Sequence, residues 1–203
     1  EAFEQNPHVT DTIVVVNPQV RDEVERLVDE AGYPKVRMII DGGAERADST
    51  AAALQALGAA GIPPRAKLLI HDAVRPFVEQ SSIDGCITAL DEFEAATVAF
   101  ASTDTMLLTE DLGDRKVVRS VPDRANMFRA FRFETIRRAY ELASRDPDFH
   151  PTDDTRVVVD YLPDVPVAIV AGSRTNMKIT TRHDLPQAEQ ISLEIRKRLA
   201  RER

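Results

Sequence analysis

Lys67-Leu68-Leu69-Ile70-His71-Asp72-Ala73-Val74-Arg75-Pro76-Phe77 decides the fold class. An apolar run over 67–70 ends abruptly in His, Asp and Arg. A short run without polar alternation is how a strand buried on both faces of a parallel sheet reads. In open α/β sheets ligands sit outside the carboxyl ends of the strands, where His71, Asp72 and Arg75 stand. Asp72 can hold a hard cation such as Mg2+. Arg75, three residues on, carries a planar fork suited to phosphate. Pro76 is expected to end the strand and to hold the group on a stiff turn. A strand-end salt bridge between Asp72 and Arg75 is the plainer reading, and this segment alone slightly favours it.

Working outward, strands and helices alternate. The β-branched run 12–16 reads as a buried strand, broken by Asn17-Pro18. Val20, Val24, Leu27, Val28 and Ala31 recur at helical spacing until Gly32. Residues 36–40 read as a second strand, closed by Asp41-Gly42-Gly43. Asp48 or Ser49 is the expected N-cap of the next helix, with Ala52, Leu54 and Leu57 inward. Beyond the 67–70 strand, Ser82 is the expected cap of a helix through Leu90, and 97–101 is another strand. Residues 105–108 and 116–121 read as a hairpin joined by a turn at 110–114. Helix 134–143, a helix capped by Thr152, strand 167–170 and a last helix capped by Asp184 complete the chain. The alternation predicts an α/β fold with a mostly parallel, doubly wound sheet. The hairpin, within 103–124, departs from it and is expected to project as an arm.

The 203 residues suit one domain, 1–203, and 43% hydrophobic composition supports a sizeable core. A net charge of -8 argues against a nucleic-acid surface, which needs a basic patch. Cys86 is the only cysteine, so neither an intrachain disulfide nor a cysteine-based zinc site can form. Its neighbours Ile87 and Leu90 point to an inert core position. No apolar run approaches the ~20 residues of a membrane span, no signal-peptide pattern opens the chain, and a cytoplasmic protein is the default.

Three further groups can carry chemistry. In Asp41-Gly42-Gly43-Ala44-Glu45-Arg46-Ala47-Asp48-Ser49, the glycines allow close backbone approach and Ser49 can meet a phosphate or a base. In Thr175-Asn176-Met177-Lys178-Ile179-Thr180, Lys178 can face an anionic substrate. Pro122-Asp123-Arg124 and Thr152-Asp153-Asp154 offer a phosphate-binding arginine and a hydroxyl at a helix start. Taken singly, these are equally an ordinary βα loop, a surface lysine, a surface salt bridge and an N-cap. His8, His150 and His183 are scattered, and His71 beside Asp72 reads as a structural donor. No Ser-His-Asp spacing, dinucleotide fingerprint or Walker loop occurs.

Their order is more specific than any one of them. Asp-Gly-Gly-x-x-Arg-x-x-Ser, His-Asp-Ala-Val-Arg-Pro, Thr-Asp-Asp and Asn-x-Lys-Ile-Thr-x-x-x-Asp-Leu, running from about Val14 to Ala188, closely resemble the 2-C-methyl-D-erythritol 4-phosphate cytidylyltransferases. Ribitol-5-phosphate cytidylyltransferases share most of the pattern and are the alternative. Arg46-Ala47-Asp48-Ser49 favours the former, because the relatives tend to have Asn and Thr there. A non-catalytic nucleotide-binding relative is a reading of a different class.

The resemblance implies a Rossmann-like nucleotidyltransferase that uses CTP and Mg2+ to turn a polyol phosphate into a CDP-polyol. It implies that Gly43 and Ser49 contact cytidine, and that Asp72 holds the metal. Arg75 would shape the site, Lys178 would stabilise the phosphates, and Thr152 would contact the polyol phosphate. The hairpin would be a dimerisation arm of a homodimer, delivering Thr105 and Arg124 to the neighbouring site. Two departures stand out. The family's opening strand and glycine-rich, basic phosphate loop are missing from the region ahead of Val14. Next, Met127-Phe128-Arg129-Ala130 runs directly into Phe131 where the family has Gln-Thr-Pro-Gln, and a chain break near 130–131 is expected. Ala44 also replaces an acid found in some relatives.

Overall fold

The computed structural model describes residues 1–101, 108–112, 115–120, 124–149, 151 and 153–201. Thr105 and Thr152 lie outside the described residues, as does the side chain of Arg124.

The chain opens with a short helix, α1 (Ala2–Gln5), followed by strand β1 (Thr12–Val16), helix α2 (Arg21–Ala31), strand β2 (Val36–Asp41) and helix α3 (Arg46–Ala59). Next come β3 (Lys67–Ile70), α4 (Gln80–Glu92) and β4 (Ala95–Ala101). After the strands β5 (Leu108–Leu112), β6 (Arg115–Ser120) and β7 (Arg124–Arg132) follow α5 (Phe133–Ala143) and α6 (Asp154–Tyr161). Strand β8 (Val167–Ala171) and helix α7 (Leu185–Arg201) close the order. Gly32 ends α2 in the left-handed conformation, φ 64°, which a glycine adopts without steric cost.

β1 and β2 pair in parallel. A four-stranded sheet has the order β3-β7-β4-β8, with β4 and β8 parallel and β7 antiparallel to both β3 and β4. The expected parallel framework is present, with one reversed strand in its middle. β7 runs unbroken through the point where a chain break is expected: Ala130 pairs with Leu69 and Ala96, and Phe131 with Leu68 and Ala95. A register shift between Val98 and Ala99 absorbs one extra residue of β7. β5 and β6 pair antiparallel, Leu112 opposite Arg115, so the strands of the hairpin run on into the expected turn at 110–114.

Alternation along β7 and β4 sorts the core onto two faces. Phe131 and Ala95 face a cluster built with Leu54 and Leu57 of α3, Ile136 and Tyr140 of α5 and Val157 and Val158 of α6. Ala130, Ala96 and Val98 face Cys86 and Leu90 of α4. The helices thus cover both faces of the sheet, as double winding requires. Cys86 is fully buried, and burial pushes its thiol up to about 12, in keeping with an inert position.

Several helix starts differ from expectation. The cap of α3 is Glu45, not Asp48 or Ser49. Its side chain and that of Asp48 each accept from the other's backbone, a reciprocal box that sets the helix start three residues earlier. α4 is capped at Glu79 rather than Ser82. α6 is capped by Asp153, not Thr152: the Asp153 carboxylate accepts from Arg156 N at 2.9 Å. Asp184 closes a 3-10 turn over Arg182–Asp184, accepting from the amides of Thr180 and Thr181 before α7 begins. No helix among the described residues is long and apolar enough to cross a membrane.

Candidate active site

Loops leaving the carboxyl ends of β2, β3 and β8 build the site. β3 ends at Ile70, so Pro76 does not terminate it. The turn is instead closed by Arg75 N donating to Asp72 O at 3.0 Å. That bond presents the Asp72 and Arg75 side chains together, and their salt bridge forms, Arg75 Nε standing 3.4 Å from Asp72 Oδ2. The plain reading of the segment is therefore correct but incomplete.

Asp72 gathers three more cations. Arg46 Nε of α3 lies 3.6 Å from Oδ1, and Arg129 Nη1 of β7 also 3.6 Å from Oδ1. Lys178 Nζ, from the loop after β8, lies 3.7 Å from Oδ2. Burial works to raise the Asp72 carboxyl, and Arg129, Lys178, Arg46 and Arg75 together outweigh it, holding the group below the usual carboxylate range. With Asp153 beside Arg129 and Asp154 beside Arg46, four positive groups face three carboxylates and leave an excess of one positive charge at a strand end. Such an arrangement suits a multiply charged anion.

One side-chain and one backbone bond join the loops that carry these groups. Arg75 Nη1 donates to Asn176 O at 3.0 Å, and Ile179 N donates to Val74 O at 2.8 Å. Lys178 lies between those two anchors, which explains how a half-exposed lysine is held over the β3 loop. On the other side, Arg46 Nη2 donates to Asp154 Oδ2 at 2.6 Å. Asp154 is fully buried, and its Oδ1 also accepts from Thr50 at 3.0 Å and Tyr140 at 2.7 Å. Burial, followed by the adjacent Asp154 charge, raises the Tyr140 phenol well above its ordinary value, so it stays a donor.

The glycine loop is fitted to its own helix. A Cβ on Gly43 would stand 2.1 Å from Asp48 Cβ, and one on Gly42 would stand 2.6 Å from Ser49 Oγ. Ser49 Oγ accepts from Gly43 N at 3.2 Å and donates to Glu45 O at 3.2 Å. Gly42 N donates to Val16 O at 2.8 Å, fixing the loop to the end of β1. Gly43 and Ser49 thus have a structural role of their own, and Arg46, at the end of their loop, connects it to Asp72.

Of the residues singled out in the sequence, Asp72, Arg75 and Lys178 meet in space. Arg46, Arg129, Asp153 and Asp154 belong to the same cluster and were given no role from sequence. Arg46 and Asp154 stood within quoted motifs, which was the available signal. Arg129 gave none, because its partners come from distant parts of the chain. Among the described residues no group of three His, Cys, Asp or Glu gathers as a metal cage. A single carboxylate in an anion-binding setting does fit Mg2+ that takes most of its ligands from phosphates.

A family model described as IspD, 2-C-methyl-D-erythritol 4-phosphate cytidylyltransferase, matches residues 1–194. The chain belongs to the 2-C-methyl-D-erythritol 4-phosphate cytidylyltransferase family. It is 72% identical over 200 residues to the Bifidobacterium longum protein of that name, covering 96% of this chain and 69% of that one. It is 42% identical over 191 residues to the Thermobifida fusca protein of the same name, covering 91% of this chain and 76% of the relative. A crystal structure of 4-diphosphocytidyl-2C-methyl-D-erythritol synthase from Anaerococcus prevotii superposes with a TM-score of 0.78 at 26% identity, covering 93% of this chain and 84% of that one. The family is one of nucleotidyltransferases, and the mixed α/β fold with parallel strands matches its solved structures.

Proposed function

We propose that the protein transfers the cytidylyl group of CTP to 2-C-methyl-D-erythritol 4-phosphate, a step in isoprenoid precursor synthesis. The observation that carries the chemistry is the ring of Arg46, Arg75, Arg129 and Lys178 around Asp72 at a strand end. The close family relatives support the choice of polyol, and with it disfavour ribitol 5-phosphate. Similarity to proteins named cytidylyltransferases favours an enzyme over a non-catalytic nucleotide binder.

An oxygen of the polyol phosphate attacks the α-phosphorus of CTP. The bond from that phosphorus to the bridging oxygen breaks, and pyrophosphate leaves with the electron pair. No protein nucleophile is required, so positioning and charge neutralisation are the protein's contribution. Lys178, the most exposed of the four cations, and Arg75 neutralise charge that builds on the phosphates. Arg46, fastened to buried Asp154, holds Asp72 in place. Asp72 would hold Mg2+, and the ion would supply further neutralisation of the triphosphate charge. Gly43 and Ser49 line the cytidine side, and Thr152 and Arg124 serve the polyol phosphate.

The same reading includes a cytoplasmic homodimer, with the β5–β6 hairpin as the arm that brings Thr105 and Arg124 to the neighbouring subunit. Pyrophosphate release by the full-length protein from each of CTP, UTP, ATP and GTP, with 2-C-methyl-D-erythritol 4-phosphate as acceptor, tests the reading. CTP should be used at least about 100-fold more efficiently than the others, a discrimination within reach of a site built to hydrogen-bond one base. Equal use of all four, or release that is independent of the acceptor, contradicts it.

A further inference from the structure

Arg129 differs from the other cations around Asp72. It lies two residues before the core residue Phe131 on β7, hence on the same face of the sheet, and is only 7% exposed. Its partners across the sheet are Ile70, the last residue of β3, and Thr97 of β4. Its side chain therefore emerges where β3 gives way to the Asp72 loop. Nη1 stands 3.6 Å from Asp72 Oδ1 and Nε stands 3.6 Å from Asp153 Oδ1. Both separations are too long for hydrogen bonds, and neither nitrogen has a hydrogen-bond partner although both are buried. Buried donors are normally satisfied, and a guanidinium cannot relieve the need by losing its proton. Arg46 and Arg75, by contrast, each spend a donor on a fixed acceptor, Asp154 Oδ2 and Asn176 O.

We propose that Arg129 is a substrate-positioning residue whose free Nε and Nη1 donors receive a phosphate oxygen between Asp72 and Asp153. The inference deepens the cytidylyltransferase reading and rests on it. The two carboxylates hold the guanidinium from either side without occupying these donors. A phosphate entering the cluster supplies the missing acceptors, and two N–H groups of a planar fork fix its orientation. Lysine, a point charge without the fork, does not replace that geometry. The phosphate belongs either to CTP or to the polyol phosphate, and both present the same chemistry to Arg129.

Calorimetric titration of the full-length protein and its Arg129→Lys and Arg129→Met variants tests this, with CTP and Mg2+ in one arm and 2-C-methyl-D-erythritol 4-phosphate in the other. Both variants should bind one of the two ligands at least tenfold more weakly and the other within twofold, with KM rising for the same substrate. Which ligand weakens identifies the phosphate. Should Arg129→Met fail to fold, Arg129→Lys keeps the charge and most of the volume and carries the test alone. Unchanged binding of both ligands by Arg129→Lys, with only the melting temperature lowered, makes Arg129 a structural ion pair and overturns the proposal. Equal weakening of both, the mark of a distorted site, also overturns it. A wild-type protein that binds neither ligand overturns the functional reading itself, a result distinct from these.

Discussion

Lys178 Nζ stands 3.7 Å from Asp72 Oδ2, although 106 positions separate the two residues in the chain. The contact brings the loop after β8 over the loop after β3, and the bonds from Arg75 to Asn176 and from Ile179 to Val74 hold it there. Lys178 itself is 45% exposed and packs into no core.

Replacing Lys178 by alanine therefore separates catalysis from stability. With the proposed role of Lys178 in neutralising phosphate charge, its loss should lower kcat/KM by about 100-fold or more. Stability to urea should change by no more than about 0.5 kcal/mol, as for an exposed substitution. Steady-state pyrophosphate release and urea melts measure the two effects; unchanged turnover would remove Lys178 from the mechanism.

Asp72→Asn keeps the shape of the side chain and removes its charge. The surrounding cations lose their common anion, and the metal that Asp72 is proposed to hold loses that carboxylate. The Mg2+ concentration needed for half-maximal activity should rise at least about tenfold. A magnesium titration of the variant checks this, and an unaltered metal requirement would mean that Asp72 serves only to space the arginines.

Asp154 makes the opposite prediction. It touches no open part of the site, but its buried carboxylate accepts from Arg46, Thr50 and Tyr140 at once. Asp154→Ala leaves the half-buried Arg46 charge with only its looser contact to Asp72, strips the Thr50 and Tyr140 hydroxyls of their buried acceptor, and should destabilise the fold by about 3–5 kcal/mol. Tyr140→Phe, which removes one hydrogen bond, should cost about 1 kcal/mol. Urea unfolding at neutral pH distinguishes them, and comparable losses for both would show that the Arg46 ion pair contributes little.

His71 gives the fold a pH dependence. Burial pushes its imidazole down to about 4, with Asp72 opposing and Arg75 and Arg129 reinforcing the shift. The unfolded chain takes up the proton near 6.5 and the folded chain resists it, so protonation favours unfolding. This contribution to stability is complete above about pH 6.5 and is lost as the pH falls toward 4, by about 3 kcal/mol in all. His71→Gln should lose correspondingly less stability between pH 7 and pH 4 than the wild type. Parallel stability curves for the two proteins would show that His71 does not govern this limb.

Much of the framework was legible from local pattern. The strands Thr12–Val16 and Lys67–Ile70 begin and end where their β-branched or apolar runs do, and Gly32 stops α2 as expected. β7 was not legible, because Arg129 and Arg132 occupy sheet positions that a hydrophobic pattern assigns to apolar residues. Arg132 is accommodated by the carbonyls of Arg65 and Leu90, and Arg129 by the acids of the site. Neither arrangement has a trace in the surrounding sequence. The start of α3 was misplaced because Glu45 and Asp48 act as a reciprocal pair, which is weaker in pattern than a single serine or aspartate cap. In the site, the motifs named Asp72, Arg75 and Lys178. Arg46 and Asp154 stood inside those motifs without a visible task, since their partnership joins α3 to α6 across 108 positions.

The most direct test of the central claim is a competition. The full-length protein is given CTP, Mg2+ and equal amounts of 2-C-methyl-D-erythritol 4-phosphate and ribitol 5-phosphate, and the products are resolved by mass spectrometry. The expected result is CDP-methylerythritol with an equal amount of pyrophosphate and little CDP-ribitol. A predominance of CDP-ribitol, or CTP bound without formation of either product, would contradict it.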